Sequence, residues 1–258
     1  MTAIPDPVVV VGIGEMGSVF ARAFLRAGHP VFPVLRGTDL AAAASAVPAP
    51  GLVLVAVGED ALDPVLASLP STWRDAVMLI QNELLPRDWT RHGIVAPTVA
   101  PVWFEKKPGR DTKVIVPTPV AGPHAEGVVT ALEGIGIAAR HVPDVQIVGH
   151  LVAKNLYILT ANIAGLVTGG TVGALWHEHG EISRPVADEV LAIQATLVDT
   201  PIDRDAVLAE MIDAIDADPD HGATGRSAPR RLTRALDHAD AAGLAVPTLR
   251  SIARDLRT

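Results

Sequence analysis

The sequence predicts an α/β protein: a doubly wound parallel sheet over residues 1–143, then an all-helical domain over 144–258. Three observations carry this. Strand-like and helix-like segments alternate as far as Val142, and no clear strand follows Pro143-Asp144. A full G-x-G-x-x-G turn, Gly12-Ile13-Gly14-Glu15-Met16-Gly17, joins the first strand to the first helix. Beyond the alternating region comes one long apolar stretch, Val145 to Val167, and then four shorter helix-like segments.

The elements follow in order. Val8 to Val11 is a β-branched run, too short for a buried helix. Ser18 to Ala27 is helix-prone, Gly28-His29-Pro30 stops it, and Val31 to Leu35 returns as a strand. Ala41 to Ala46 is a short alanine-rich helix, and Leu52 to Val57 a third strand. Asp60 to Leu69 reads as a helix with Asp60 as its cap. Ala76 to Ile80 is a fourth strand, followed by Gln81-Asn82-Glu83. Ile94 to Ala96 and Lys113 to Val116 read as further strands, with proline-rich irregular chain from Pro97 to Asp111 between them. A helix opens at Pro123 and ends near Leu132, before Gly134 and Gly136, and Ile137 to Val142 is the last strand. After Val167, Pro185 to Val198, Asp203 to Ala217, Arg230 to Ala242 and Thr248 to Leu256 read as helices, punctuated by Pro201, Pro219, Gly222 and Gly243 to Pro247.

Composition removes several function classes. Apolar residues make up 49% of the 258, enough for a sizeable core, while aromatics are 3%, so packing rests on Ala, Val, Leu and Ile. A net charge of −8 argues against a nucleic-acid or anionic-membrane partner. With no cysteine, disulfides and thiolate chemistry are excluded. The amino-terminal residues lack a basic region followed by an apolar core, so no signal peptide and a cytoplasmic location are expected.

The strand–glycine turn–helix–strand context is what a dinucleotide-binding Rossmann site requires. Gly12 permits the tight turn, Gly14 lets backbone approach a pyrophosphate, and Gly17 lets helix and strand pack closely. The backbone N–H groups of Ile13 to Gly17 then face phosphate at a helix start. An NAD site usually places Asp or Glu after the second strand; here the chain reads Arg36-Gly37-Thr38, and a guanidinium grips a 2′-phosphate. NADPH/NADP is therefore expected over NAD, with Asp39 close by and a solvated Arg36 as the competing reading.

Val145 to Val167 is the stretch that could pass for a membrane span, but it holds His150, Lys154, Asn155 and Asn162. A buried helix is expected instead. Lys154 is its only formal charge. A buried lysine pairs with an anion or has its pKa lowered, and either makes it a candidate acid in proton transfer. Asn162 lies two turns further on roughly the same face, so Lys154 and Asn162 could donate to one carbonyl. The competing reading is that Asn155 or Asn162 only ties helices together. His177-Glu178-His179 points its histidines to different faces and lacks a third ligand, so no metal is expected. Arg230 and Arg234 share a helix face and could hold an anionic group, although a solvated face accounts for them as well.

These residues together resemble the ketopantoate reductase family. Gly12-x-Gly14-x-x-Gly17, Arg36-Gly37, Gln81-Asn82, Pro108-Gly109 to Val116, Gly122-Pro123, Lys154, Asn162 and Gly243-Leu244-Ala245-Val246-Pro247 fall in the order of that family's motifs. The resemblance implies a Rossmann domain followed by a helical domain and NADPH-dependent reduction of a 2-oxo acid. It implies catalytic roles for Lys154 and Asn162, and places Asn82 near the nicotinamide. Departures are equally specific. Gly58 stands where the family has a nucleotide-contacting lysine, Glu83 where its asparagine turn has glycine, and Ile158 where it has a first asparagine. Ser227 to Thr233 occupies the region of its late glutamate. A small carbonyl substrate is expected, with an imine or a non-catalytic nucleotide-binding role as alternatives, and a homodimer is possible for such a chain.

Overall fold

The computed structural model describes residues 6–256, so the expected domain ends at Met1 and Thr258 lie outside it. The chain forms two compact units, one up to Ile147 and the other from Val148.

The first unit opens with β1 (Val8–Val11), α1 (Glu15–Arg26), β2 (Val31–Val34), α2 (Leu40–Ala46), β3 (Leu52–Val55), α3 (Glu59–Ala67), β4 (Val77–Leu79), α4 (Pro86–Thr90) and β5 (Thr98–Val99). These strands form one parallel sheet in the order β2-β1-β3-β4-β5. Every residue of β1 and β3 is buried, because helices cover both faces of a parallel sheet, and the sequence shows continuous rather than alternating apolar runs. Pro33 lies in β2 and lacks a ladder donor; it is tolerated because β2 is an edge strand. Val19, Phe20, Ala23 and Phe24 of α1 pack on Val8, Val10, Leu52 and Leu54, with Phe20 and Phe104 ring centroids 5.9 Å apart.

Helix starts differ from the sequence expectation. α1 begins at Glu15, directly on the glycine turn, rather than at Ser18. α3 is capped by Gly58, with Asp60 inside the first turn, where a carboxylate favours the positive end of the helix dipole.

Beyond β5 no further strand joins the main sheet among the described residues, although Ala121 forms an antiparallel bridge with Val99. β6 (Phe104–Glu105) and β7 (Lys113–Val114) form an antiparallel pair. β8 (Thr118–Val120), α5 (Ala125–Glu133) and β9 (Ala139–His141) form a parallel β-α-β unit. The prolines at 97, 101 and 108 remove the donors that continued strand pairing needs. Ile94 to Ala96, expected as a strand, is not one. The Ile94 N–H closes on Trp89 O in the turn after α4, and pairing starts only at Thr98.

The second unit consists of helices, among the described residues: α6 (Ile147–Thr168), α7 (Val172–His177), α8 (Gly180–Thr196), α9 (Arg204–Ala217), α10 (Ala228–Ala241) and α11 (Pro247–Asp255). By length and composition α6 could cross a membrane, but 78% of its apolar window is buried inside the protein. Sequence reasoning missed α7, a short helix that Thr171 caps by accepting from the Ala174 N–H. It placed the start of α8 at Pro185, which instead lies inside the helix and costs it one ladder bond. Long-range polar contacts tie these helices together. Asn155 of α6 donates to Gln194 of α8 at 3.0 Å. His150 of α6 meets Glu210 of α9 at 2.7 Å. The Glu189 carboxylate on α8 accepts from the N–H groups of Thr248 and Leu249 at 2.8 and 2.9 Å. The Gly243-to-Pro247 element thus delivers the first turn of α11 to a remote carboxylate, with Pro247 opening that helix.

Candidate functional site

Two sets of residues fall on the two units. In the first unit the chain runs from β1 through α1 to β2 on one side, then returns to place β3 on the other side of β1. The carboxyl ends of β1 and β3 therefore bracket the switch point where α/β sheets bind ligands. A cavity of about 790 Å³ lies there, lined among others by Gly12, Gly14, Arg36, Gly37, Ala56 and Gly58. That size suits a substantial part of a nucleotide.

The three motif glycines have three separable reasons. Gly12 has φ +95°, and a Cβ on it would lie 2.9 Å from Ala56 O. A Cβ on Gly17 would lie 2.0 Å from Gly12 O, so only hydrogen lets α1 settle on the turn. Gly14 caps α1 with an ordinary φ of −88°, and a Cβ there would meet nothing within 4 Å. The protein's own packing and backbone therefore do not demand glycine at position 14. A ligand backbone approaching the helix start would, and this is the fit expected of a pyrophosphate.

Around the glycines, Ile13 is exposed at the rim and lines the cavity. Glu15 is exposed in the first turn of α1, whereas the Met16 side chain packs on the core, which leaves its backbone N–H alone available at the helix start. Arg36 is exposed and lines the cavity beyond β2. Asp39 lines it too, but its carboxylate caps α2, accepting from the Ala41 N–H at 2.9 Å. The one carboxylate among the residues lining this cavity is thus committed to a helix start.

Asn82 is exposed past the end of β4 and is not among the residues lining this cavity. Its neighbour Gln81 is buried and donates to Val55 O at 2.6 Å and Val57 O at 3.2 Å, which fastens the end of β4 to that of β3. Glu83 has φ +60°, a left-handed conformation that glycine adopts without strain. Glu83 therefore holds the backbone turn that a glycine would adopt without strain.

The second set lies in the helical unit. Lys154 is 8% exposed on α6, and its Nζ sits 5.6 Å from the centroid of the Tyr157 ring. Burial first, and then the charge of Arg231, pull its pKa from 10.5 down to about 7. Ile158, one turn on, is buried and apolar. Asn162 does not stand alone: its Oδ1 accepts from Arg231 Nη1 at 2.9 Å, across from α6 to α10. The structure so brings Lys154, Asn162 and Arg231 into one electrostatic neighbourhood.

Arg231 was missed by sequence reasoning, which singled out Arg230 and Arg234 instead. Arg230 is exposed and Arg234 half-buried, while Arg231 is buried. The signal was present in the spacing. Ala228, Leu232, Ala235 and Ala239 form the buried stripe of α10, and position 231 falls within it. His177 and His179 each face a separate carboxylate, Asp216 at 2.8 Å and Glu181 at 3.7 Å, as two independent surface pairs.

No protein-family model matches the sequence, and no curated protein is detectably similar to it. Solved structures do match over nearly the whole chain. A PanE/ApbA family ketopantoate reductase from Ralstonia eutropha JMP134 is 19% identical, covers 97% of each chain and superposes with a TM-score of 0.66. A 2-dehydropantoate 2-reductase from Methylococcus capsulatus is 14% identical over 97% of this chain and 96% of its own, with a TM-score of 0.66. A D-mandelate dehydrogenase, solved in complex with NADH, is 12% identical over 96% of each chain, with a TM-score of 0.64. The chain therefore has the fold of the ketopantoate reductases, at a sequence distance that leaves its chemistry to be argued from its own residues.

Proposed function

We propose that the protein is a nicotinamide-dependent reductase of a small carbonyl compound, with NADPH as the preferred coenzyme. The observation that carries this is Gly14, a helix-capping glycine that the protein's own packing and backbone do not require, at the switch point of a Rossmann-type sheet. The ketopantoate reductases and the mandelate dehydrogenase that share the fold support the same class of chemistry.

The amino-terminal N–H groups of α1 would hold the pyrophosphate, with Gly12 and Gly17 keeping the turn tight enough to aim them. Arg36 would take the 2′-phosphate, since Asp39 is occupied at α2. When bound, the dihydronicotinamide supplies a hydride to the carbonyl carbon. Lys154 donates a hydrogen bond to the carbonyl oxygen and passes it a proton as charge develops. A pKa of about 7 lets it give that proton near neutrality and recover one from solvent.

Thermal-shift measurements with NADPH, NADP, NADH and NAD test the coenzyme class, followed by turnover over a panel of 2-oxo acids, ketones and cyclic imines. NADPH and NADP should raise the midpoint most, by several degrees at concentrations about 100-fold above Kd. No shift with any of the four would remove the nicotinamide assignment, and binding without turnover across the panel would favour a non-catalytic nucleotide-binding protein. Arg36→Glu tests the preference itself. It should weaken NADPH by about 10- to 100-fold, the scale of one lost charge-assisted pair, with little change for NADH. Equal weakening of both coenzymes would separate Arg36 from the 2′-phosphate.

A further inference from the structure

The first unit holds a second large cavity, at the other end of the sheet from the glycine turn. Its volume is about 850 Å³, and Val8 and Leu52 line it at the amino ends of β1 and β3. The carboxyl ends of the same strands lead to the glycine-turn cavity, and the two share no lining residue. A space of this size suits a small organic ligand. Its floor and its mouth differ in chemistry. Val8, Phe24, Leu52 and Val128 are buried and apolar, whereas Asp6, Asp75 and Glu126 are exposed carboxylates. No lysine or arginine is among the residues lining it. Burial lowers the pKa of His124 on the same wall, which leaves that ring neutral at pH 7. His29 fixes another wall: its Nδ1 lies 3.0 Å from Asp6 O, and its ring stands edge-on to Phe24 with centroids 6.3 Å apart. The mouth therefore carries a negative field over an apolar floor.

A glycine keeps this space open. Gly127 lies in the first turn of α5 and lines the cavity. Glycine weakens a helix relative to alanine. A Cβ on Gly127 would meet nothing within 4 Å, so packing does not ask for glycine there. Gly51 on the same cavity differs, since its Cβ would lie 2.7 Å from Asp6 Cβ. A side chain at position 127 would cost the fold nothing and would take up room beside the cavity wall. We propose that this cavity binds a small organic ammonium ion, its head paired with the carboxylates of Asp6 and Asp75 and its apolar body on Phe24 and Leu52, independently of the nucleotide. Glu126 already faces His141 Nδ1 at 3.9 Å, which leaves Asp6 and Asp75 as the selecting pair. Apolar burial supplies attraction without regard to charge, and the carboxylates decide its sign. An anion of the same shape is repelled, and a neutral analogue loses the charge pairing. The site does not rest on the reductase function proposed above.

Calorimetry on the full-length protein near neutral pH tests this with benzylammonium, benzyl alcohol and benzoate, which share one ring and differ in charge. Benzylammonium should bind at least about tenfold more tightly than benzyl alcohol, and benzoate should not bind. The affinity for benzylammonium should be the same with and without NADPH, and should fall as salt is raised. Asp75→Asn should weaken benzylammonium about three- to fivefold, the scale of one exposed ion pair, and leave benzyl alcohol unchanged. Gly127→Leu should abolish binding of the amine while unfolding at or above the wild-type temperature, since leucine is the better helix former. That midpoint separates a filled cavity from a misfolded protein, and Asp75→Asn, an exposed isosteric change, provides a second variant. Three results would overturn the proposal: no binding of benzylammonium up to about 10 mM, equal affinity for the alcohol or the benzoate, or wild-type affinity for the amine in folded Gly127→Leu. Competition between NADPH and benzylammonium would place the amine at the glycine turn and overturn it as well.

Discussion

Lys154→Ala should lower turnover by about 10²- to 10⁴-fold, the usual contribution of a positioned general acid. The affinity for NADPH should stay near the wild-type value, because the glycine turn and Arg36 belong to the other unit. The pH profile follows from the same residue. Desolvation, and then Arg231, lower the Lys154 pKa to about 7. The ammonium form is the acid, so kcat should be level below that pH and fall as pH rises through it. The profile should flatten in the variant. A wild-type rate that climbs between pH 6 and 9 would remove Lys154 as proton donor. Stability should move in the opposite direction. The unfolded chain holds the lysine proton up to about pH 10.5, whereas the folded chain releases it near 7. Between those values the unfolded state binds more protons, so wild-type stability rises with pH there, and below about pH 7 the full cost of burying the cation is present. Lys154→Met fills the same space without charge. It should raise the thermal midpoint at pH 6 while abolishing turnover, a trade of stability for function. A lower midpoint in Lys154→Met would mean that the ammonium stabilises the fold.

The two glycines of the fingerprint should separate folding from binding. Gly17→Ala puts a methyl carbon 2.0 Å from Gly12 O, backbone against backbone, with no flexible end to yield. Helix α1 must lift off the turn, and a loss of about 3–5 kcal/mol is expected, at the upper end for single substitutions. Denaturant unfolding followed by circular dichroism should show an early midpoint. Gly14→Ala meets nothing within 4 Å at an ordinary φ of −88°, so its unfolding midpoint should stay close to wild type. Its affinity for NADPH should nevertheless fall at least about tenfold, because the new methyl stands where the pyrophosphate approaches. A Gly14→Ala protein that binds NADPH like wild type would show that the helix start does not cradle phosphate.

The β1-α1-β2 unit was legible in the chain because each of its signals is local. A β-branched run, three glycines at fixed offsets and a stop at Gly28 lie within a few residues of the structure they specify. The helical unit was legible as helices, and Lys154 and Asn162 could be singled out within α6, but Arg231 could not. Arg231 reads as one of several arginines in a row until the face that α10 buries is known, and its partner Asn162 is 69 residues away. Arg230 and Arg234 were the natural suspicion because an i, i+4 pair is visible in sequence, whereas burial is not. After Pro97 the strands at Lys113–Val114 and Ala139–His141 fall inside the expected runs, but Thr98–Val99, Phe104–Glu105 and Thr118–Val120 went unread for a related reason. Short β-bridges are specified by their partners, as Thr118–Val120 is by Ala139–His141, and not by their own two or three residues.

Residue order alone thus settled the doubly wound start, the helical second half, the glycine turn and the one charge inside the apolar helix, since backbone conformation and amphipathic period are set over one to four turns of chain. Folding in three dimensions was needed to assign Asp39 to a helix cap, to free Gly14 of any packing duty, to turn Asn162 toward Arg231 and to lower the lysine pKa. Those outcomes depend on desolvation and on contacts between distant segments, and both quantities come into being only when the chain closes on itself.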